Sequence, residues 1–107
     1  MTAAIVYITT PNKDEALRIG RVLVEERLAA CVNIVDGMTS LYWWKGNIEA
    51  ADETVLLAKT RHSLVEPLIE KVKSLHSYDC PCIIANPIDS ANPDYLKWIE
   101  NETAGKR

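Results

Sequence analysis

This sequence lacks the features that identify the common classes of enzyme. It contains no glycine-rich phosphate loop, no nucleophile elbow and no zinc-protease spacing. It also has no plausible set of Ser, His and Asp for nucleophilic catalysis, and Asp79 near His76 does not by itself define a reaction. We therefore predict that the protein is not an enzyme.

Signals for export or for membrane insertion are also missing. The apolar stretch in MTAAIVYITTP is short, has no basic residue ahead of it and is soon followed by a proline, which fits neither a signal peptide nor a membrane span. The 3 cysteines are an odd number without an export signal. We therefore expect reduced thiols, a cytoplasmic location and no membrane partner.

Neither sign of charge dominates the sequence. The 12 Lys and Arg residues are scattered rather than arranged in a stripe, and the net charge is −3, so we expect no nucleic acid partner. The 107 residues contain no low-complexity run, internal repeat or linker, and they are enough to bury a core without a metal or a disulfide. We predict a single domain over residues 1–107.

The strongest pattern that is present is a β pattern over residues 31–61. Its first arm is rich in β-branched and aromatic residues and breaks only at Asp36-Gly37. Lys45-Gly46-Asn47 is expected to turn the chain, because Gly and Asn tolerate positive φ angles. The stretch therefore predicts two long strands joined in one hairpin.

The return arm of this hairpin is apolar on both faces. Val55 and Leu57 point to one face, and Leu56 and Ala58 point to the other, because successive residues of a strand alternate. A small antiparallel sheet with helices on one side should be polar on its open side. We therefore expect another copy of the chain to cover that side; the alternative is a partly exposed aromatic patch around Trp43.

Caps and periodicity predict the other elements. Asn12 with Glu15 indicates the start of one helix, in which Gly20 marks a close approach to the sheet, and Ser63 with Glu66 indicates the start of a second helix. The further predictions are a central strand over residues 4–8, Pro67 in the first turn of the second helix, a strand over residues 83–86, a short last helix capped by Asn92, and a fraying tail over residues 101–107.

The predicted order is strand, helix, strand, strand, helix, strand and a short helix. This order predicts an α+β fold, a ferredoxin-like βαββαβ sandwich with a four-stranded antiparallel sheet and both long helices on one face. The bare face of the sheet is where we expect subunits to meet. Because this fold hosts many unrelated functions, the function has to be argued from particular residues.

Several motifs, taken in order, resemble those of the CutA family of divalent-cation tolerance proteins. They are LAACVN at 28–33, YWWKG at 42–46, LAKT at 57–60, HSY at 76–78 and NPDYLKWI at 92–99. The resemblance extends over residues 5–103 and implies a ferredoxin-like subunit, a homotrimer built through the sheets, a cytoplasmic setting and binding of copper or another divalent cation. The trimer also resembles that of the PII signalling proteins, which implies as an alternative a sensor that binds a small anionic ligand in inter-subunit clefts.

The sequence departs from the family pattern around the family's copper site. Family members usually read His-Pro-Tyr followed by a Pro-Glu pair, whereas here Ser77 replaces the first proline and Cys82 occupies the glutamate position. The family's copper ligands, one Cys and two adjacent His, correspond here to Ile8, Leu75 and His76. Since only His76 is retained, that copper site cannot be transferred to this chain.

His76, Cys80 and Cys82 are the candidate metal ligands of this sequence. An imidazole and two thiolates suit Cu(I) or Zn(II), and an extended Cys-Pro-Cys places both cysteines on one side of the chain, about 7 Å apart at their α-carbons. That separation disfavours a disulfide between them. The alternative is that both cysteines are ordinary strand residues, because cysteine is among the most buried residue types.

A second candidate site is a cleft between subunits lined by Lys59, Tyr78 and Trp44, which would bind a small anionic ligand. The alternative for Lys59 is a packed aliphatic stem with its ammonium group in water. Cys31 is expected to be a buried packing residue, with a reactive thiol as the alternative. His62 is expected to be a solvated residue at the entrance of the second helix.

Overall fold

The structure, a computed structural model, describes residues 1–105. Its elements are β1 (Ala3–Thr10), α1 (Lys13–Glu25), β2 (Cys31–Trp44), β3 (Asn47–Arg61), a 3₁₀ turn (His62–Leu64), α2 (Val65–Leu75), β4 (Ile83–Pro87) and α3 (Pro93–Glu102). The strands form one antiparallel sheet in the order β2-β3-β1-β4. The predicted α+β, ferredoxin-like arrangement is therefore confirmed, with β1 between two other strands as expected.

The hairpin of β2 and β3 is paired from Cys31 with Lys59 to Trp44 with Asn47. Its two-residue turn has positive φ angles at Lys45 (50°) and Gly46 (83°), as a type I′ turn requires. The prediction that Asn47 shares this role was wrong, because Asn47 already pairs with Trp44 in the sheet. Lys45 adopts the left-handed conformation instead.

The break predicted at Asp36-Gly37 is a bulge in β2. The register shifts between Val35 and Met38, and Gly37 has a φ of 81°. The Asp36 carboxylate accepts hydrogen bonds from the Thr54 hydroxyl at 2.8 Å and from the Gly37 N–H at 2.9 Å. The bulge therefore lets the long strand continue while one side chain fixes the irregular backbone.

The start of α1 is capped as predicted, since the Asn12 side chain accepts a hydrogen bond from the Glu15 N–H at 2.8 Å. Gly20 lies against the sheet: a β-carbon there would be 3.0 Å from Val32 Cγ2 and 3.2 Å from Leu56 Cδ1. The close approach predicted for Gly20 is therefore confirmed.

The predicted start of α2 was wrong. The chain first forms the 3₁₀ turn, and α2 begins at Val65 with no side-chain hydrogen bond from its cap residue, Leu64. Ser63 lies inside the 3₁₀ turn and is not the cap of α2. Pro67 is in the first turn of α2, as predicted, where its missing N–H has no intrahelical partner to lose.

The core lies between the sheet and the two long helices. Val6 and Ile8 of β1 pair with Ala58 and Leu56 of β3, and all four side chains are fully buried. The helices cover them with Ala16, Ile19, Leu23, Leu68 and Val72. The other face of the sheet therefore presents the alternate residues, among them Tyr7, Thr9, Val55 and Leu57.

Helix α3 contacts β3 and β1 and so covers one end of this second face. The Arg61 guanidinium donates from Nε to Thr103 Oγ1 at 2.9 Å and from Nη2 to the Glu100 carbonyl at 2.7 Å. Thr103 is buried, so the prediction of a tail that frays from Asn101 was wrong for residues 101–103. Residues 106 and 107 of that predicted tail lie outside the described part of the chain.

The rest of the second face and the end of the hairpin remain apolar and exposed in the single chain. Val35 and Ile84 are exposed on the sheet, and Leu41 and Trp43 near the turn keep 73% and 72% of their accessible surface. Both faces of the hairpin are therefore apolar, as the alternation predicted, and α3 covers only part of the second face. None of the described helices is long and apolar enough to cross a membrane.

Candidate functional site

A cavity of about 540 Å³ opens on the second face of the sheet, between the hairpin and the segment that joins α2 to β4. The alternation along β1 places its lining residues opposite the core, because Tyr7 and Thr9 point away from the face of Val6 and Ile8. Residues from β1, β2 and β3 and from the connecting segment line it: Tyr7, Thr9, Ser40, Tyr42, Trp44, Glu53, Tyr78, Asp79, Cys80 and Cys82.

Glu53 and Tyr78 join the two walls of this cavity. The Tyr78 hydroxyl donates to Glu53 Oε2 at 2.7 Å, and Glu53 keeps only 8% of its accessible surface. Burial raises the pKa of Tyr78 well above its ordinary value, and the hydrogen bond to Glu53 and its negative charge add to this effect. Tyr78 is therefore a neutral hydrogen-bond donor that holds a buried carboxylate.

The imidazole of His76 is fully buried and uses both of its ring nitrogens. Nδ1 accepts a hydrogen bond from the Tyr78 N–H at 3.1 Å, and Nε2 is 2.7 Å from the Thr9 carbonyl oxygen. A backbone N–H can only donate and a carbonyl can only accept, so the ring proton lies on Nε2. Neither nitrogen of this neutral ring has a free lone pair for a metal ion.

The acidic side chain of Glu15 fixes the start of the connecting segment. Its Oε2 accepts hydrogen bonds from the Ser77 N–H at 2.9 Å and from the Ser77 hydroxyl at 3.0 Å. The same oxygen lies 3.4 Å from Nδ1 of His76. Glu15 was predicted as part of a capping box, but its carboxylate binds this distant segment instead of the Asn12 N–H.

The structure brings Cys80 and Cys82 to the same cavity, Cys80 exposed and Cys82 partly buried, both as free thiols. Burial raises the pKa of the Cys82 thiol, a hydrogen bond with Thr9 opposes this, and the charge of Glu53 raises it further. Within residues 1–105 no group of three or more His, Cys, Asp and Glu side chains could hold a metal ion. His76 therefore does not complete a three-ligand site with the two cysteines in the single chain.

The predicted anion cleft is only partly assembled. Tyr78 and Trp44 line the cavity, but Lys59 does not, because it pairs with Cys31 at the opposite end of the hairpin from Trp44. The Lys59 ammonium group instead lies 5.6 Å from the centre of the Tyr95 ring. Within one chain the structure thus separates Lys59 from the other two residues, and the cleft between subunits stays a prediction.

Two further predicted residues lie away from the cavity. Cys31 is only partly buried, with Sγ 3.8 Å from the Val32 carbonyl oxygen, which corrects the expectation of a buried packing residue. His62 is exposed in the 3₁₀ turn, as predicted.

Glu53 is the cavity residue that sequence reasoning missed most clearly. The signal was present, because alternation places Glu53 on the same face as Val55 and Leu57. A carboxylate next to Val55 and Leu57 on that face is unusual, since an ionised side chain is rarely buried without a partner. Its partner, Tyr78, lies on another element and could not be identified from the sequence.

Comparisons with known proteins agree with this architecture. A family model described as CutA1 divalent ion tolerance protein matches residues 4–102. The chain is 48% identical over 99 residues to a divalent-cation tolerance protein CutA of Thermus thermophilus, and the match covers 92% of this chain and 96% of that protein. The crystal structure of CutA1 from Oryza sativa superimposes with a TM-score of 0.95 at 45% identity, covering 98% of this chain and 96% of that one. For the structure of the Thermus thermophilus protein the TM-score is 0.92 at 46% identity, with coverages of 95% and 99%.

Relatives in plants and animals are longer. The chain is 48% identical over 99 residues to the chloroplastic protein CutA 1 of Oryza sativa, and the match covers 92% of this chain but 56% of that protein. The chain spans 54% of the Arabidopsis thaliana relative and 55% of the Mus musculus relative. The two plant relatives are named chloroplastic, whereas a structure from Archaeoglobus fulgidus is named periplasmic, so the relatives do not share one location.

Proposed function

Because the chain belongs to the CutA1 divalent ion tolerance family, we propose that it is a non-enzymatic, cytoplasmic homotrimer that takes part in the tolerance of divalent metal ions. We propose further that it binds copper or a related soft cation weakly, through Cys80 and Cys82. Several of its relatives are named divalent-cation tolerance proteins. We argue the type of ligand from the side chains that line the cavity, and the homotrimer from the apolar side chains that the single chain leaves exposed.

One observation carries the choice of a cation as ligand: the lining of the cavity contains two thiols and two carboxylates but no Lys, Arg or His among the described residues. Thiolates bind soft ions such as Cu(I) and Zn(II), and carboxylates add negative charge. An anionic ligand is less well supported, because it would meet Glu53 and Asp79 while Lys59 lies outside the cavity.

The metal site of this proposal has two protein ligands rather than three. His76 cannot serve as the third, since its ring nitrogens bind Thr9 and Tyr78. Further donors would be water or groups from a neighbouring subunit, which makes binding weaker than in a four-ligand site. A thiol must lose its proton to bind the ion, and burial raises the pKa of Cys82, so affinity should rise with pH.

The homotrimer is supported by apolar surface that the single chain leaves open. Val35 and Ile84 are exposed on the second face, and Leu41 and Trp43 are exposed near the hairpin turn. Several large apolar side chains left exposed on one folded chain favour an interface. The resemblance to trimeric family members gives the number of subunits.

The experiment that tests this function combines light scattering with calorimetric titration by Cu(I) and by Zn(II) under reducing conditions. We expect a trimeric mass and thiol-dependent binding that is lost in a Cys80→Ser, Cys82→Ser double variant. Cys31→Ser is the matched control, because Cys31 is also a partly exposed thiol but lies outside the cavity. Unchanged binding in the double variant would remove both proposed ligands, and a monomeric mass would exclude the trimer.

A further inference from the structure

Among residues 1–105, Glu53 is a buried carboxylate without a cation beside it. Its one described hydrogen bond joins Oε2 to the Tyr78 hydroxyl, and within residues 1–105 no Lys, Arg or His forms an ion pair with it. Removing a carboxylate from water costs free energy that a neutral hydrogen bond only partly offsets. The Glu53 side chain lines the cavity, so an external cation bound there would neutralise the charge of this carboxylate.

The electrostatic field in this cavity is negative. The charge of Glu53 contributes to raising the pKa of both Tyr78 and Cys82, and the charge of Glu15 adds to this effect on Tyr78. Asp79 adds a second carboxylate to the lining. The cavity therefore favours a positively charged occupant and disfavours an anion.

Four aromatic side chains share this cavity with the carboxylates, namely Tyr7, Tyr42, Trp44 and Tyr78. The faces of aromatic rings carry partial negative charge and attract cations, tryptophan most strongly. Trp44 already attracts an ammonium group of the protein, because Lys45 Nζ lies 5.9 Å from the centre of its ring. Aromatic faces with a buried carboxylate form the combination that recognises an organic ammonium ion.

We propose that this cavity, which opens on the face where the subunits of the proposed homotrimer meet, binds a small organic ammonium ion between subunits, whose charge pairs with Glu53 and whose alkyl groups contact the aromatic rings. This ligand class differs from the thiol-bound metal proposed above. A metal ion needs several donor atoms that converge on one point, and no such group of three exists among the described side chains. A weakly hydrated organic cation is instead bound through a large contact surface with the aromatic rings, and a cavity of about 540 Å³ has room for such an ion.

The probe for this proposal is tetramethylammonium, with tert-butanol as a neutral molecule of similar size and shape. Both are titrated into the assembled wild-type protein at constant ionic strength, with amide chemical shifts as the readout. We expect tetramethylammonium to shift the resonances of cavity residues in a saturable way. We expect tert-butanol to bind at least about tenfold more weakly, because it lacks the positive charge that the carboxylate and the rings attract. Equal binding of the two molecules, or no binding of the ammonium ion, would overturn the proposal.

The matched variants are Glu53→Gln and Glu49→Gln. Glu49 lies on the same strand and the same face, but it is exposed and outside the cavity. Glu53→Gln keeps a side-chain oxygen that can accept from Tyr78 and removes the charge, so it should weaken tetramethylammonium binding at least about tenfold, whereas Glu49→Gln should not. Binding that survives in folded Glu53→Gln would also contradict the proposal.

The Cys80→Ser, Cys82→Ser double variant separates this inference from the metal site. It should retain tetramethylammonium binding while losing Cu(I) binding. If the Glu53→Gln protein does not fold, the comparison of the charged and neutral probes on the wild-type protein still decides the outcome.

Discussion

Glu15 and Ser77 lie 62 positions apart in sequence, and one carboxylate oxygen of Glu15 accepts two hydrogen bonds from Ser77, at 2.9 Å from its N–H and at 3.0 Å from its hydroxyl. This contact ties the first turn of α1 to the segment that forms one wall of the cavity. The adjacent His76 and Tyr78 bind to β1 and β3 through Thr9 and Glu53. The wall is thus held by three successive residues with partners on three different elements.

Glu15→Ala should lower the free energy of unfolding by about 1–3 kcal/mol, because it leaves the partly buried donors of Ser77 without an acceptor. Urea denaturation followed by circular dichroism measures the change. Glu25→Ala is the control: Glu25 lies on the same helix in an exposed pair with Arg21, and its removal should cost about 0.5 kcal/mol or less. Similar losses in the two variants would show that the Glu15–Ser77 contact does not stabilise the fold.

Cys80 and Cys82 should differ in reactivity although they are two residues apart. Cys80 is exposed, whereas burial raises the pKa of Cys82 and keeps it as the less reactive thiol. Limited alkylation with iodoacetamide near neutral pH, followed by peptide mass spectrometry, should label Cys80 first. Labelling of Cys82 ahead of Cys80 would contradict the described environment of the two thiols.

Asp36 should contribute to the loss of stability in acid. The hydrogen bond from Thr54, followed by that from the Gly37 N–H, lowers the pKa of Asp36 below its ordinary value of 3.8. The folded state thus binds this proton less tightly than the unfolded state, so the stabilisation is complete above the unfolded pKa and is lost as the pH falls through the lower folded pKa.

The test compares melting temperatures of the wild-type protein and Asp36→Asn from about pH 5 to about pH 2, the range in which a carboxyl group of this kind titrates. The wild-type protein should lose more stability over this range than the variant. Thr54→Val should reduce the acid sensitivity as well, while Thr39→Val, an exposed position on β2, should not. Parallel pH curves for wild type and Asp36→Asn would refute this assignment.

Gly20→Leu should destabilise the fold by about 1–3 kcal/mol, the usual cost of forcing a large side chain into a packed core. Even a β-carbon at this position would be 3.0 Å from Val32 and 3.2 Å from Leu56. Leu17→Ala, an exposed position on the same helix, is the control for changes in helix propensity and should have a small effect. Chemical denaturation of both variants gives the comparison, and a Gly20→Leu protein as stable as the wild type would show that helix and sheet can separate at this point.

The candidate site was predictable only in part. The pattern of residues 76–82 indicated which side chains carry possible chemistry, and Cys80, Cys82, Tyr78 and Trp44 do meet in one cavity. The sequence also indicates His76 as a metal ligand, but the ring can bind a metal ion only where one of its nitrogens makes no other hydrogen bond. Thr9 and Tyr78 occupy both nitrogens, and no spacing rule reveals that.

The sequence by itself determined the order of the strands and helices, the apolar character of both hairpin faces, the Asn12 cap and the close approach at Gly20. These features depend on the periodicity of apolar residues and on contacts between residues close together in the sequence, and both can be inferred from the sequence alone. Tertiary structure alone decided that Glu15 binds Ser77 and that Glu53 is buried against Tyr78. These outcomes depend on strand register and on the path of a segment between elements, and both are set by the packing of the whole chain.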